Sequence, residues 1–320
     1  MSYPNLSSAT RARIQCASLR PWLPKSKILT MVESVALLFE KRRPNAGQNF
    51  QSFTQALFER STIESERHIA HAFRHPQSDM SSLLAKNRLH NLRFEQRRNT
   101  IAPAAKVRSY CEAFQIPQRD DYLNLVRNDS RSRIIASFHC GDFLYGSASL
   151  LSLDRGNARK YVLSLNRASS ACHSNLATGF NNRAPDKQSE LLLSESSSTE
   201  LSQLLRAANT SILLFCDVPF GLNETTEVNF LNRRAHFSIG PALLALANRV
   251  PLLPLFNYSS ADSNFVGLGS QIEPALLPAE TLRSGAQRIT QKLVSLFENV
   301  LLAHPEQWRF LSLLPSYYRA

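Results

Sequence analysis

The apolar positions along the chain change period near residue 132, and that change sets the expected architecture. Before it the spacing is helical. Over residues 27–43 the positions Ile28, Met31, Val32, Val35, Leu38 and Phe39 follow i, i+3, i+4, i+7 spacing, which predicts an amphipathic helix stopped by Pro44. Its basic end, Lys41-Arg42-Arg43, suits either a solvated tip on a core-facing helix or the headgroup zone of a bilayer. Further helices are predicted over 48–75 and 79–116, with breaks at Ala102-Pro103 and Ile116-Pro117. After Ser132 short β-branched and apolar runs take over. Strands are predicted over 133–138, 160–165, 210–216 and 250–257, and helices over 143–151, 199–208, 237–248 and 281–303. This alternation predicts an α/β fold with a central mixed, mostly parallel sheet flanked by helices, behind a helical basic N-terminal layer. The expected organisation is a basic N-terminal region over 1–130 packing on an α/β core over 131–320.

Charge separates the same two regions. Through Arg133 there are 22 basic and 11 acidic residues; from Ile134 onward there are 15 and 14. Arginine outnumbers lysine 29 to 8, which favours contact with fixed anionic groups, because the guanidinium fork matches phosphate and carboxylate. A basic half beside a neutral half suits an anionic membrane surface or a nucleic acid, but no nucleic-acid-binding motif or aromatic-interleaved basic stretch supports the second. The first 24 residues lack an apolar signal-peptide core, and no window offers the roughly 20 apolar residues of a membrane span. The expectation is a cytoplasmic protein, soluble or peripheral on the inner face of the cell membrane. Five widely spaced cysteines, with no zinc-ligand or CxxC spacing, read as free thiols in a reducing compartment, and no metal site is expected.

Three segments carry candidate chemistry. His139 follows the first strand, where open α/β sheets place ligands, and it is a candidate general base backed by the turn at Gly141. Asp142, three residues on, either orients the imidazole or caps the next helix. Cys140 offers an alternative thiol nucleophile. Asp217, in the turn Asp217-Val218-Pro219-Phe220-Gly221 after the third predicted strand, either binds substrate or caps the turn. Arg233 and Arg234 precede a helix start at Gly240-Pro241 and form a candidate anion site.

These segments occur in one order: FHCGDF around His139, FCDVPFG around Asp217, FLNRRAHFSIGPALLALANRVPLLPLF, and HPEQW from His304 to Trp308. That order resembles the lipid A biosynthesis acyltransferase family, the late acyltransferases of the lysophospholipid acyltransferase-like superfamily. The resemblance implies a glycerolipid acyltransferase-like fold, no bound cofactor, and an acyl thioester on phosphopantetheine, carried by acyl carrier protein or coenzyme A, as co-substrate. It also implies His139 as the base and Gly141 as the glycine that follows it. Arg233 falls on the family's arginine, which would hold phosphate or a developing oxyanion, and Asp217 on its post-strand aspartate, in a structural or substrate-positioning role. The family's acid, five residues after the histidine, falls on Leu144, so Asp142 is the nearby carboxylate left to support the base. Family members usually carry an N-terminal membrane-spanning helix, which this sequence lacks, and this points to an acceptor other than lipid A. The expected activity is acyl transfer from a thioester to a hydroxyl or amine. The alternative is a non-catalytic protein of the same fold that binds an anionic lipid or other anionic partner through its basic half.

Overall fold

The computed structural model describes residues 80–100, 104–151, 153, 160–164, 190–194, 197–207, 209–218, 224–260 and 263–318. The helices expected over 27–43 and 48–75, and with them the bilayer-lying alternative, fall outside the described residues. Three helices precede the sheet: α1 Met80–Thr100, α2 Ala104–Glu112 and α3 Arg119–Asn128. The α/β part runs β1 Arg133–Ser137, α4 Phe143–Leu151, β2 Lys160–Ser164, β3 Glu190–Ser194, α5 Ser198–Arg206, β4 Thr210–Phe215, β5 Thr225–Phe230, β6 Arg233–Ser238, α6 Gly240–Asn248, β7 Leu252–Ser260, β8 Ser263–Leu268 and α7 Leu282–Ala303. Two 3₁₀ turns, Pro305–Gln307 and Leu311–Leu313, lead into a last helical turn, α8 Leu314–Tyr317.

The main sheet has six strands in the order β3-β2-β4-β1-β7-β8, parallel except for the antiparallel edge β8. The expected mixed, mostly parallel sheet flanked by helices is what the chain forms. Its central strand β1, RIIAS, is buried at every position, as a parallel strand covered on both faces must be. Pro254 sits inside β7 without breaking it. Its carbonyl accepts from Gly269 N–H at 3.0 Å on the side away from β1, and the regular β8 ladder begins only at Leu255. A residue's N and O face the same side of a strand, so the missing proline donor falls outside the β1 ladder.

Several elements differ from the sequence expectation: helix α3, strand β3, the hairpin β5–β6 and strand β8 have no counterpart in it. The predicted helix over 237–248 starts only at Gly240, because residues 225–238 form the hairpin β5–β6. Its tight turn takes Leu231 and Asn232 at φ 51° and 61°, a conformation in which leucine is uncommon, and this concealed the turn in the sequence. Elsewhere the local signals hold. Helix α7 is opened by a capping box in which Thr281 accepts from Ser284 N–H and Ser284 reaches back to the Thr281 N–H. Helix α7 packs on a core built from aromatic layers: Phe138 stacks on Phe297 at 4.2 Å between centroids, and Trp308 packs against both Phe230 and Phe297.

Helices α1 and α2 belong with the sheet. Phe94 of α1 stacks on Phe143 of α4 at 4.7 Å, and Tyr110 of α2 meets Tyr145 edge-on. Among the described residues no helix is long and apolar enough to cross a membrane.

Candidate active site

The parallel register of β1 and β4 pairs Ser137 with Phe215. Two residues beyond each, at the carboxyl ends of the two strands, stand His139 and Asp217. Their side chains meet: His139 Nδ1 lies 2.7 Å from Asp217 Oδ1, and the His139 backbone N–H donates to Asp217 Oδ2 at 2.8 Å. A carboxylate on Nδ1 holds the proton there and leaves Nε2 as the acceptor. Nε2 has no hydrogen-bond partner among the described residues, and the side chain keeps 16% of its surface exposed. Three phenylalanines fix the ring: Phe215 stacks on it at 4.1 Å, with Phe143 at 4.7 Å and Phe310 at 4.9 Å. The histidine is therefore oriented from one edge, enclosed on its faces and open at the other nitrogen, the geometry a general base requires.

Asp217 is fully buried and heavily held. Its Oδ2 also accepts from the Trp308 indole Nε1–H at 2.9 Å, and its backbone carbonyl from the Tyr317 hydroxyl at 2.6 Å. HPEQW, a motif without an assigned role in the sequence, is thereby placed at the site. Cys140 bridges to Trp308 in an antiparallel pair, Arg309 N–H donates to the His139 carbonyl at 2.8 Å, and Gly141 N–H donates to the Gln307 carbonyl at 3.1 Å. The Gln307 carboxamide in turn accepts from Ser259 N–H and donates to the Ser259 carbonyl, each at 2.7 Å, which ties the segment to β7.

Asp142 does not serve His139. It lies before the first residue of α4, and Gly141 at φ 58° turns the chain between the two, so the helical spacing that would bring them together does not apply. Its Oδ2 instead takes Arg97 Nε at 2.9 Å and the Tyr110 hydroxyl at 2.5 Å, joining α1 and α2 to the turn. Leu144, where the resemblance places an acid, is buried among apolar side chains. Gly141 is a structural necessity, since a Cβ there would sit 2.6 Å from the Asn257 carbonyl oxygen. With its N–H given to Gln307, its amide is not directed at a substrate. Cys140 is buried, and burial, with Asp217 beside it, pushes its thiol well above the usual range, so it is no thiolate nucleophile.

The two arginines part company. Arg233 opens β6 with its guanidinium 4.3 Å over the Tyr318 ring, next to the residue that holds the Asp217 carbonyl. Arg234 has its side chain 81% exposed and faces Glu227 across the hairpin at 3.5 Å, and no contact joins it to His139. Helix α1 supplies contacts to the site that no sequence signal marked. Asn87, buried, donates through Nδ2 to the carbonyls of Trp308 at 2.6 Å and Glu306 at 2.9 Å. The Arg309 guanidinium lies over Phe94 at 5.3 Å. Burial and Arg97 lower the pKa of His90, on the same helix, to about 4, although the Gly141 carbonyl favours its charged form.

The Asp142 carboxyl gives a pH prediction. Burial raises its pKa above the usual carboxylate range against the pull of Arg97. The folded state then holds the proton more tightly than the unfolded chain, so this group stabilises the fold at low pH and the contribution is lost as pH rises through the folded pKa. Asp142→Asn, which mimics the neutral form, is expected to remove that part of the pH dependence, so that its melting temperature gains on wild type as pH rises. Melting curves at several pH values check this, and a wild-type difference that stays constant with pH would contradict it.

A histidine and an aspartate meet at the carboxyl ends of adjacent parallel strands, where open α/β sheets place their ligands. Residues 177–314 match the family described as Bacterial lipid A biosynthesis acyltransferase. Asp217, Arg233 and Trp308 lie inside the matched region; His139 lies before it and Tyr317 beyond it. No curated protein matches the chain.

Proposed function

We propose that the protein transfers an acyl group from a thioester donor to a hydroxyl or amine, with His139 as general base and Asp217 as the carboxylate that orients it. The observation that carries this reading is the His139 Nδ1–Asp217 Oδ1 contact of 2.7 Å, with Nε2 left to the open side of the ring. In the reaction Nε2 takes the proton of the acceptor as its oxygen or nitrogen bonds to the thioester carbonyl carbon. The carbonyl oxygen becomes an oxyanion. Collapse of that intermediate breaks the C–S bond, and the imidazolium returns its proton to the departing sulfur. The products are an ester or amide and a free thiol. Base assistance of this kind contributes roughly 10²–10⁴ in rate. In the first turn of α4, which begins at Phe143 against the imidazole, N–H groups lack intrahelical partners, and their dipoles favour the oxyanion.

A phosphopantetheine donor, on acyl carrier protein or coenzyme A, brings a phosphate. The arginines beside the site, Arg309 over Phe94 and Arg233 over Tyr318, suit such a group, as does the net charge through residue 133. The same basic region suits an anionic membrane surface from which a lipid acceptor is drawn, which would place the protein peripherally on the inner face of the cell membrane. Purified protein incubated with acyl-carrier-protein and acyl-coenzyme A thioesters, together with a mixture of lipid and small-molecule hydroxyl and amine acceptors, is expected to release free thiol and to yield acylated acceptors by mass spectrometry. Thioesters that survive at the uncatalysed rate, alongside binding to anionic vesicles, would favour a non-catalytic anion-binding protein instead.

A further inference from the structure

We infer that Trp308 and Tyr317 are positioning residues that hold Asp217 in place for His139, so that the C-terminal segment from His304 onward completes the site. The inference rests on the reading of His139 as the base. Nothing in the family match assigns either residue a role, and Tyr317 lies outside it.

Asp217 stands at the end of β4, just before a turn, so its own strand does not fix its carboxylate. Three hydrogen bonds to the carboxylate and one to the backbone carbonyl hold the residue. Two come from His139, through the ring and the backbone N–H, and two come from the C-terminal segment, through the Trp308 indole and the Tyr317 hydroxyl. Both C-terminal donors are fully buried. They meet the aspartate at different points, the indole at Oδ2 and the phenol at the backbone carbonyl, which together set the rotation of the carboxylate and the height of the chain. Trp308 is itself clamped: Phe230, Phe297 and Tyr317 pack on its ring, and Asn87 binds its carbonyl. The same segment delivers Phe310 to the imidazole face.

The indole also tunes charge. A carboxylate shared between an imidazole and an indole N–H offers less of its charge to the imidazole than one without the indole. The other titratable groups facing Asp217 are Cys140, Cys216 and Tyr317, and burial raises all three so that they stay neutral near pH 7. Among the described residues, no ionised group other than the His139 imidazolium shares that carboxylate with the indole.

The test is a nitrogen–proton NMR titration of the full chain. In the wild-type protein the Trp308 Nε1–H resonance, distinguished from that of Trp22 by a Trp22→Phe variant, is expected to move with the same midpoint as the His139 ring nitrogens. Trp308→Phe should shift the His139 midpoint to higher pH, and lower kcat roughly tenfold with KM within about twofold. Tyr317→Phe should lower kcat by a smaller factor and leave the midpoint near that of wild type. An indole resonance that stays flat through the His139 transition would overturn the inference, and it needs no variant at residue 308 to fold. Coupled titration in a protein that consumes no thioester would leave the positioning intact and remove the acyltransferase reading. Thioester turnover with a flat indole resonance would do the reverse.

Discussion

Replacing His139 by alanine is expected to lower acyl transfer at least about a hundredfold, because the variant loses proton abstraction from the acceptor. The fold should survive, since the imidazole lies at the edge of the core with part of its surface exposed. Three phenylalanine contacts are lost, and the Asp217 carboxylate keeps the Trp308 indole and the residue-139 backbone N–H, so the buried charge is still solvated by the protein. Circular dichroism and thermal melting would establish the retained fold, and thiol release with an acyl thioester would measure the loss. An alanine variant that turns over at the wild-type rate would end the assignment of His139 as base.

Asp217→Asn should have an effect of similar size by a different route. The side chain keeps its shape, but its charge is gone and its amide can donate to Nδ1, which favours the tautomer that carries the proton on Nε2. That nitrogen then has nothing with which to accept the acceptor's proton. The expected loss in kcat is on the order of 10²–10⁴, with KM little changed because the carboxylate does not touch the substrate. The pH profile should change as well, since the imidazolium loses its counter-charge and titrates at lower pH. A variant that kept its rate while its pH profile stayed fixed would mean that Asp217 is only a scaffold for the turn.

The contrast between Asp217 and Asp142 shows what the sequence could and could not convey. His139 and Asp217 were each recognisable alone, as polar residues just past apolar strand runs. Their pairing was not, because it depends on β1 and β4 being neighbours in the sheet, although 78 residues of sequence separate the two side chains. Sequence proximity favoured Asp142 instead, on the assumption that a helical face already joined it to His139. The positive φ of Gly141 breaks that face. Leu144 completes the point: it packs in the core, and the carboxylate comes from another strand end.

Most of the helices and the strands β1, β2, β4 and β7 followed from local signals, apolar period and proline breaks. The β5–β6 hairpin escaped because a leucine occupies a positive-φ turn position that glycine or asparagine usually marks. The role of HPEQW escaped for a different reason. Its tryptophan acts through one hydrogen bond across 91 residues of sequence, and its glutamine through a backbone pairing with Ser259. Such contacts have no periodicity from which to read them. Asn87 and Arg97 of α1 belong to the same class, polar side chains on a basic helix that are distinguished only by what they meet in the folded chain.

The central claim is that Asp217, and not Asp142, supports His139 in acyl transfer. Initial rates of thiol release from one acyl thioester, measured in parallel for wild type, Asp142→Asn and Asp217→Asn at matched concentrations of folded protein, test it most directly, because thiol appears whatever the acceptor. The account predicts that Asp142→Asn stays within about threefold of wild type while Asp217→Asn falls by about a hundredfold or more. A rate lost in Asp142→Asn and kept in Asp217→Asn would contradict it.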